Sequence, residues 1–244
     1  VRSAINQTQC DSVIASNNFV CTVYSEVNNG TIVCKYSIQD SITGQNIVLP
    51  TTIPGALVTT PRVFLLGGYF IIIFTNTITG TAHLQYIAIS AAFPTTVTAP
   101  ADISANYIPA FTISWDGIVY ENNLYIAYNS TAGGQHVSVT YLNTSFVVAA
   151  PQNFAGSIAT IMSMTTDITN ISQPVIYATF YDSASSTGFV VAVDQNLNKL
   201  MTPTQIITAT TVLNLATTAK NGVQTTIYEV SNNYSYDAAV PTHF

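Results

Sequence analysis

Two acidic side chains in one short stretch, Asp116 and Glu121, are the nearest that the sequence comes to a catalytic pair. Hydrolysis of a glycosidic bond needs two carboxyl groups that flank it. A further acid, Asp11, stands before the first strand pattern, but both Asp116 and Glu121 fall at a turn that follows a strand. Acidic residues at turns usually bond the local backbone. We therefore predict no catalytic residue and no enzymatic activity.

Two histidines and three aspartates are further candidates for metal ligands. His83 and His136 each open a strand at the same point of a repeated pattern, yet no acid or cysteine keeps step with them. Asp182, Asp194 and Asp237 are scattered at strand ends, which is typical of turn residues. No glycine-rich loop precedes a helix pattern. The sequence therefore predicts no metal site and no cofactor.

The three cysteines, Cys10, Cys21 and Cys34, all lie near the start of the chain. The CxxC spacing of metal and redox motifs is absent. We expect one disulfide among these three and one remaining thiol, which would suit an oxidising compartment. The pairing stays open, and so does an intermolecular bond from the odd cysteine.

The chain contains six acceptor motifs for N-linked glycans. They begin at Asn6, Asn29, Asn129, Asn143, Asn170 and Asn233. Asn29 falls in a predicted hairpin turn, Asn129 and Asn233 at or beside comparable turns, and Asn143 just beyond a strand. Because acceptor sites must be exposed, these positions predict N-linked glycans at several sites.

A repeated strand–turn–strand phrase organises the whole sequence. Its apolar anchors are Tyr24, Phe74, Tyr128, Phe180 and Val230, at intervals of 50, 54, 52 and 50 residues. A second series of residues, the prolines at 50, 100, 151 and 203, recurs with nearly the same period. Such a period in a β-rich chain predicts an all-β fold, a five-bladed β-propeller of four-stranded antiparallel blades. The predicted blades of this single domain span residues 10–56, 57–108, 109–155, 156–208 and 209–244.

Each repeat is predicted to begin with an inner strand that is followed by a tight turn. The predicted inner strands are 13–16, 63–66, 111–115, 159–163 and 212–216. The turns after them include Asn17-Asn18, Gly67-Gly68, Asn122-Asn123 and Asn221-Gly222, and Asn and Gly tolerate the positive φ of hairpins.

The fifth repeat lacks its last segment. We expect residues 1–9 to supply a closing strand, either for the last blade of the same chain or for that of a neighbouring subunit by strand addition. The two alternatives stay open, although closure within one chain removes an exposed edge without a partner.

Charge is scarce in this chain. Charged residues make 7% of the sequence, against about 25% in ordinary domains. Eleven acids and five Lys and Arg argue against nucleic acid as a partner. No apolar run reaches the roughly 18 residues of a membrane span, so we predict none.

The third repeat, AFTISWDGIVYENNLYIAYNS at residues 110–130, resembles blades of sialidase-like and arabinanase-like propellers. This resemblance implies a fold that hosts glycosidases. A sialidase-type site needs several arginines, whereas the chain has Arg2 and Arg62. The arabinanase type places acids on several inner strands, and the second, fourth and fifth predicted inner strands have none.

The composition is similar in style to secreted surface-layer, pilus and thread proteins of thermophilic archaea. We therefore predict a secreted structural subunit, at the cell surface or extracellular, whose partners are identical subunits in a filament or array. The alternatives are a carbohydrate-binding, lectin-like propeller, a glycosidase, or a virion surface protein.

Overall fold

The computed structural model of the protein describes residues 7–28, 31–108, 115–131, 134–155, 158–170, 172–208, 211–230 and 233–241. Within these ranges the chain forms strands and turns and no helix. A helix long and apolar enough to cross a membrane is therefore also missing from the described ranges. The chain divides into two compact units, residues 1–107 and 108–244.

The first unit contains two four-stranded antiparallel sheets. Sheet 1 consists of β1 (Gln7–Ile14), β2 (Phe19–Asn28), β3 (Thr31–Asp40) and β4 (Asn46–Thr52). Sheet 2 consists of β5 (Val58–Leu66), β6 (Tyr69–Ile78), β7 (Thr81–Ser90) and β8 (Ala101–Ser104). In both sheets the strands are neighbours in chain order, as expected of hairpin-connected blades.

The second unit contains three more antiparallel sheets built in the same way. Sheet 3 consists of β9 (Trp115–Tyr120), β10 (Asn123–Ser130), β11 (His136–Asn143) and β12 (Gln152–Ala155). Sheet 4 consists of β13 (Ile161–Asp167), β14 (Val175–Asp182), β15 (Thr187–Asp194) and β16 (Lys199–Thr208). Sheet 5, as far as the structure describes it, has β17 (Asn214–Lys220), β18 (Val223–Val230) and β19 (Asn233–Pro241).

The core of each unit lies between neighbouring sheets. In sheet 4, residues 176–182 of β14 are all buried. Ile176 and Phe180 pack toward sheet 3, with Tyr125 among their neighbours, whereas Tyr181 packs with Tyr228 of sheet 5. Because a strand between two sheets has both faces covered, its sequence is apolar nearly throughout instead of alternating.

Tight hairpins connect several inner strands to the strands that follow. Gly67 and Gly68 have φ of 55° and 78°, and Asn221 and Gly222 have φ of 54° and 74°. Two successive residues with positive φ form the turn whose twist matches an antiparallel pair. The turn of sheet 3 falls at Glu121 and Asn122, one residue earlier than predicted, and Glu121 has φ of 51°.

All five inner strands begin or end elsewhere than the sequence predicted. They are 7–14, 58–66, 115–120, 161–167 and 214–220. The prediction followed apolar runs, but polar residues such as Asp11, Asp116 and Asp167 also lie inside these strands. The predicted stretch 111–114 lies outside the described residues.

The predicted closing segment is described in part. Gln7 and Gln9 pair with Glu26 and Ser25, so residues 7–9 belong to the inner strand of sheet 1. Residues 1–6 lie outside the described residues. Closure of the last blade, within one chain or by a neighbour, therefore stays a prediction for residues 1–6 alone.

Candidate functional site

The first strand of each sheet, β1, β5, β9, β13 or β17, is called its inner strand here, and it lies at an edge of its sheet. Backbone N–H groups on such an edge need acceptors from outside the sheet. Asp11 Oδ2 accepts the N–H of Val63 in the next inner strand at 3.0 Å. Asp116 Oδ2 accepts the N–H of Met164 in the same manner at 2.7 Å. The other oxygen of each carboxylate accepts the N–H of the following residue, at 2.9 and 2.8 Å.

Asp11 and Asp116 therefore occupy equivalent positions on the inner strands of their respective units. Arg62 holds the same position on the inner strand of sheet 2, since the intervals from Asp11 to Arg62 and from Arg62 to Asp116 are 51 and 54 residues. These intervals match the repeat period. The period could have identified this set from the sequence, had the inner strands been bounded correctly.

In the first unit, Asp11 and Arg62 form a partly exposed charged cluster. Arg62 Nε lies 3.9 Å from Asp11 Oδ2, and both side chains are about a third exposed, at 36% and 34%. The Arg62 guanidinium also lies over the Phe64 ring, 5.5 Å from its centre. An exposed carboxylate next to a cation can contact water and a polar ligand, so this cluster has the chemistry of a site.

The backbone beside this cluster is strained. The pairing of β5 with β6 shifts register between Thr59 and Arg62, and Thr60, inside that bulge, has φ of 49°. A β-branched residue with positive φ is an outlier, and the residue before a proline, here Pro61, ordinarily prefers an extended conformation. Bulges and strained residues concentrate near functional sites.

In the second unit, the equivalent carboxylate is more enclosed. Asp116 is 8% exposed, and it follows the buried Trp115, which pairs with Tyr128 of β10. Met164, whose N–H Asp116 accepts, also receives a hydrogen bond from the N–H of Ala127 on its sulfur, at 3.2 Å. The carboxylate is therefore held in a defined position between β9 and β13.

Asp167 is a third carboxylate on an inner strand, and it is buried like Asp116; sequence reasoning did not place it there. It accepts the N–H groups of Thr169 at 2.9 Å and of Gly222 at 2.6 Å. Burial opposes ionisation, but hydrogen bonds from Thr169, Gly222 and Asn221 outweigh it, so the pKa of Asp167 lies below its ordinary value. Asp167 ties the end of β13 to the β17–β18 turn.

The structure does not bring Asp116 and Glu121 together. Asp116 is the second residue of β9, whereas Glu121 follows the end of that strand. Five residues of extended chain span roughly 17 Å, while glycosidase carboxyl groups stand about 5 to 9.5 Å apart. Glu121 is a turn residue, as predicted, but the prediction that Asp116 lies at the same turn is wrong.

The two predicted strand-end histidines have different environments. His83 Nδ1 lies 3.2 Å from a carboxylate oxygen of Asp102. His136, the first residue of β11, is buried, and its Nε2 has no hydrogen-bond partner. No group of three or more possible metal ligands occurs among the described residues.

The predicted disulfide is not formed, and all three thiols are free. Cys21 pairs with Ile38 across the β2–β3 ladder and Cys34 with Ser25, so the two buried thiols are not opposite each other. Burial, with a smaller contribution from the charge of Asp11, raises the pKa of Cys21 to about 12. Burial also raises the pKa of Cys34. Neither buried thiol is poised to react.

One predicted glycan acceptor is inaccessible in the folded chain. Asn129 is fully buried, where its Nδ2 donates to the carbonyl of Ala159 at 2.7 Å and its Oδ1 accepts the N–H of Ala159 at 2.9 Å. The prediction of an exposed turn at Asn129 is therefore wrong, because this side chain serves as a clamp between β10 and the segment before β13.

The other acceptors remain predictions. Asn170 is exposed, and Asn143 is half-buried with its Oδ1 accepting two N–H groups, of Ser145 and Val147. Asn233 begins β19, and its side chain lies outside the described part. Asn6 and Asn29 lie outside the described residues altogether.

Comparison with known proteins gives a likeness of fold. No protein-family model and no curated protein sequence matches the chain. Among solved structures it is similar to a GH43_1 enzyme from Xanthomonas citri, with a TM-score of 0.52 and 7% identity over 92% of this chain and 82% of that one. It is also similar to a GH43 β-xylosidase/α-arabinofuranosidase from a compost microbial metagenome, with a TM-score of 0.50 and 12% identity over 92% and 86%.

These likenesses confirm the predicted all-β, five-bladed β-propeller fold and correct the predicted function. The predictions of a non-enzymatic filament or surface-array subunit and of a lectin-like propeller are wrong, because the solved structures that share the fold are named as glycosidases. The similarity in style to archaeal surface proteins gains no support either. At 7% and 12% identity the likeness shows the fold, and the activity of this chain is a separate question.

Proposed function

We propose that this protein is a glycoside hydrolase. The observation that supports this most is the position of Asp11, a partly exposed carboxylate on an inner strand, beside Arg62 and a strained bulge. Its counterpart in the second unit is Asp116. The fold, which the chain shares with glycosidases, is the second support.

The chemistry asks for one group that accepts a proton and one that donates it. A general base takes a proton from the attacking water, and a general acid gives a proton to the departing sugar oxygen. Asp11 accepts two backbone N–H groups and faces a cation, which suits the role of base. Asp116 is not assigned the second role, because both of its oxygens accept backbone N–H groups.

The proposed substrates are neutral oligosaccharides that contain pentoses. One of the neighbours in fold is named a β-xylosidase/α-arabinofuranosidase. Five Lys and Arg in the whole chain provide little to bind a strongly anionic saccharide.

The test is hydrolysis of aryl pentosides and of xylo- and arabino-oligosaccharides. Asp11→Asn keeps an oxygen that can accept the N–H of Val63, so the fold should persist. It should lower kcat by roughly 10²- to 10⁴-fold. Asp40→Asn and Asp194→Asn, which alter turn carboxylates of the first and second unit, should retain activity. Lack of hydrolysis by the wild type, or full kcat in Asp11→Asn, would refute the proposal.

Secretion, glycans and association stay predictions that accompany this function. We infer an extracellular protein with a glycan at the exposed Asn170. Intact-mass measurement of native material before and after glycosidase treatment tests the glycan, and light scattering tests whether identical subunits associate.

A further inference from the structure

A bend at residues 55–57, called the corner here, leads the chain into the inner strand β5. A buried asparagine holds this corner. Asn76, 4% exposed, accepts the N–H of Ala56 at 3.0 Å and of Leu57 at 3.2 Å on its Oδ1. A Cβ on Gly55 would overlap the Val58 side chain and meet the Asn76 side chain at 3.0 Å. The corner therefore fits closely around Asn76 and Val58.

Asn76 is itself held by a chain of hydrogen bonds that runs across sheet 2 to the surface. Its Nδ2 donates to Gln85 Oε1 at 2.8 Å. Gln85 Nε2 donates to Asp102 Oδ1 at 2.7 Å, and Asp102 lies 3.2 Å from His83 Nδ1. The bond to Asp102 orients the Gln85 amide, so Gln85 presents its oxygen to Asn76 and the Asn76 oxygen faces the corner.

The corner is connected to the charged cluster by a few residues of β5. Val58 is the register partner of Asn76, and Arg62 and Val63 follow after the bulge at Thr60. Thr60 Oγ1 lies 3.1 Å from Thr75 Oγ1, next to Asn76 in β6. The N–H of Val63 then meets Asp11.

We propose that Asn76, oriented by Gln85, Asp102 and His83, is a positioning residue that fixes β5 and so sets Arg62 and the Val63 N–H against Asp11. The side chain of Asn76 makes its hydrogen bonds to Ala56, Leu57 and Gln85 and acts on the charged cluster from a distance. Its effect on the cluster passes through the backbone of β5. The catalytic consequence rests on the proposed function, whereas the positioning itself does not.

Native-state hydrogen exchange on ¹⁵N-labelled protein tests the positioning directly. Asn76→Ala should speed exchange of the Ala56, Leu57 and Val63 amides by about 10-fold or more, and Gln85→Met should do so to a smaller extent. The proposal is overturned if the Val63 amide exchanges at the wild-type rate in Asn76→Ala. If Asn76→Ala does not fold, the same result in Gln85→Met overturns it.

Asp40→Ala is the matched control in the same unit. Asp40 also accepts two backbone N–H groups, of Ile42 and Thr43 at 2.8 and 3.1 Å, but at the β3–β4 turn. This variant should leave the Val63 amide unchanged. An equal acceleration of Val63 exchange in Asp40→Ala would mean general loosening of the unit and would overturn the proposal.

Kinetics test the catalytic consequence. In an active enzyme, Asn76→Ala should lower kcat by roughly 10- to 100-fold with KM within about 3-fold, because a small misplacement of a catalytic group costs that much. Unchanged kcat would overturn this consequence. A wild type without hydrolytic activity would refute the proposed function instead, and Val63 exchange would still decide the positioning.

Discussion

Replacing Asp167 by Asn should cost stability at neutral pH and almost none in acid. The carboxylate is 5% exposed and accepts the N–H groups of Gly222 and Thr169. Asn can accept one of them, but its Nδ2 then faces the other N–H group. Hydrogen bonds to a charged group contribute about 1.5 to 3 kcal/mol, so we expect a loss of about 2 kcal/mol at pH 7.

The sign of the pH dependence follows from the lowered pKa of Asp167. A folded-state pKa below the unfolded value of about 3.9 gives stability that is present above that value and is lost as the pH falls through the folded-state pKa. Urea unfolding can be followed by the fluorescence of Trp115. The free energies of unfolding of the wild type and of Asp167→Asn should become equal as the pH falls to about 2.5. A constant difference in the free energy of unfolding from pH 7 to pH 2.5 would refute this reasoning. Asp194→Asn, at an exposed turn of the same unit, is the control.

Two further outcomes follow from groups in sheet 1. Lys35→Met leaves the buried Glu26 without its partner, so it should destabilise the protein by about 2–3 kcal/mol. The loss is smaller than for a fully buried pair because the Lys35 side chain is 25% exposed. The double variant Lys35→Met/Glu26→Gln should recover most of the lost free energy of unfolding, as measured in urea. Failure to recover it would contradict the pairing. Iodoacetamide at pH 8 should add one label to native protein, at the exposed Cys10, and three after denaturation, because Cys21 and Cys34 are buried and their pKa values are raised. Intact mass gives the count, and rapid native labelling of Cys21 would contradict the buried position.

The repeat was predictable because its signal is local. The anchors Phe74, Tyr128 and Phe180 lie on the second strands of their sheets and are buried, so each repeat needs an apolar or aromatic residue at that position. Strands of this kind are bounded by Gly and Asn turns that the sequence displays openly. The order and number of sheets therefore followed from the pattern.

The inner-strand carboxylates were not predictable in the same way, because their partners are distant in sequence. Asp116 reads locally as a turn residue, yet it bonds Met164, 48 residues away. Asn129 reads as a glycan acceptor, yet it clamps Ala159, 30 residues away. Rules that use only neighbouring residues in the sequence cannot predict such contacts. A polar side chain is buried when a partner satisfies its hydrogen bonds, and here that partner is distant in sequence.

The position of Asp11 and Asp116 also explains why a structural and a chemical role can be separated by experiment. Each carboxylate caps an N–H group on the free edge of the next inner strand, so removal of the side chain would leave that group unpaired. Asn at position 11 still offers an oxygen to the N–H of Val63, although its Nδ2 then faces the N–H of Ser12. We therefore expect a loss of stability that is smaller than for the buried Asp167, because Asp11 is partly exposed. The Asn side chain cannot take up a proton at the pH of the assay. A loss of turnover in protein that is still fully folded under assay conditions would therefore point to proton transfer, whereas full turnover would mean that Asp11 acts as an edge cap alone.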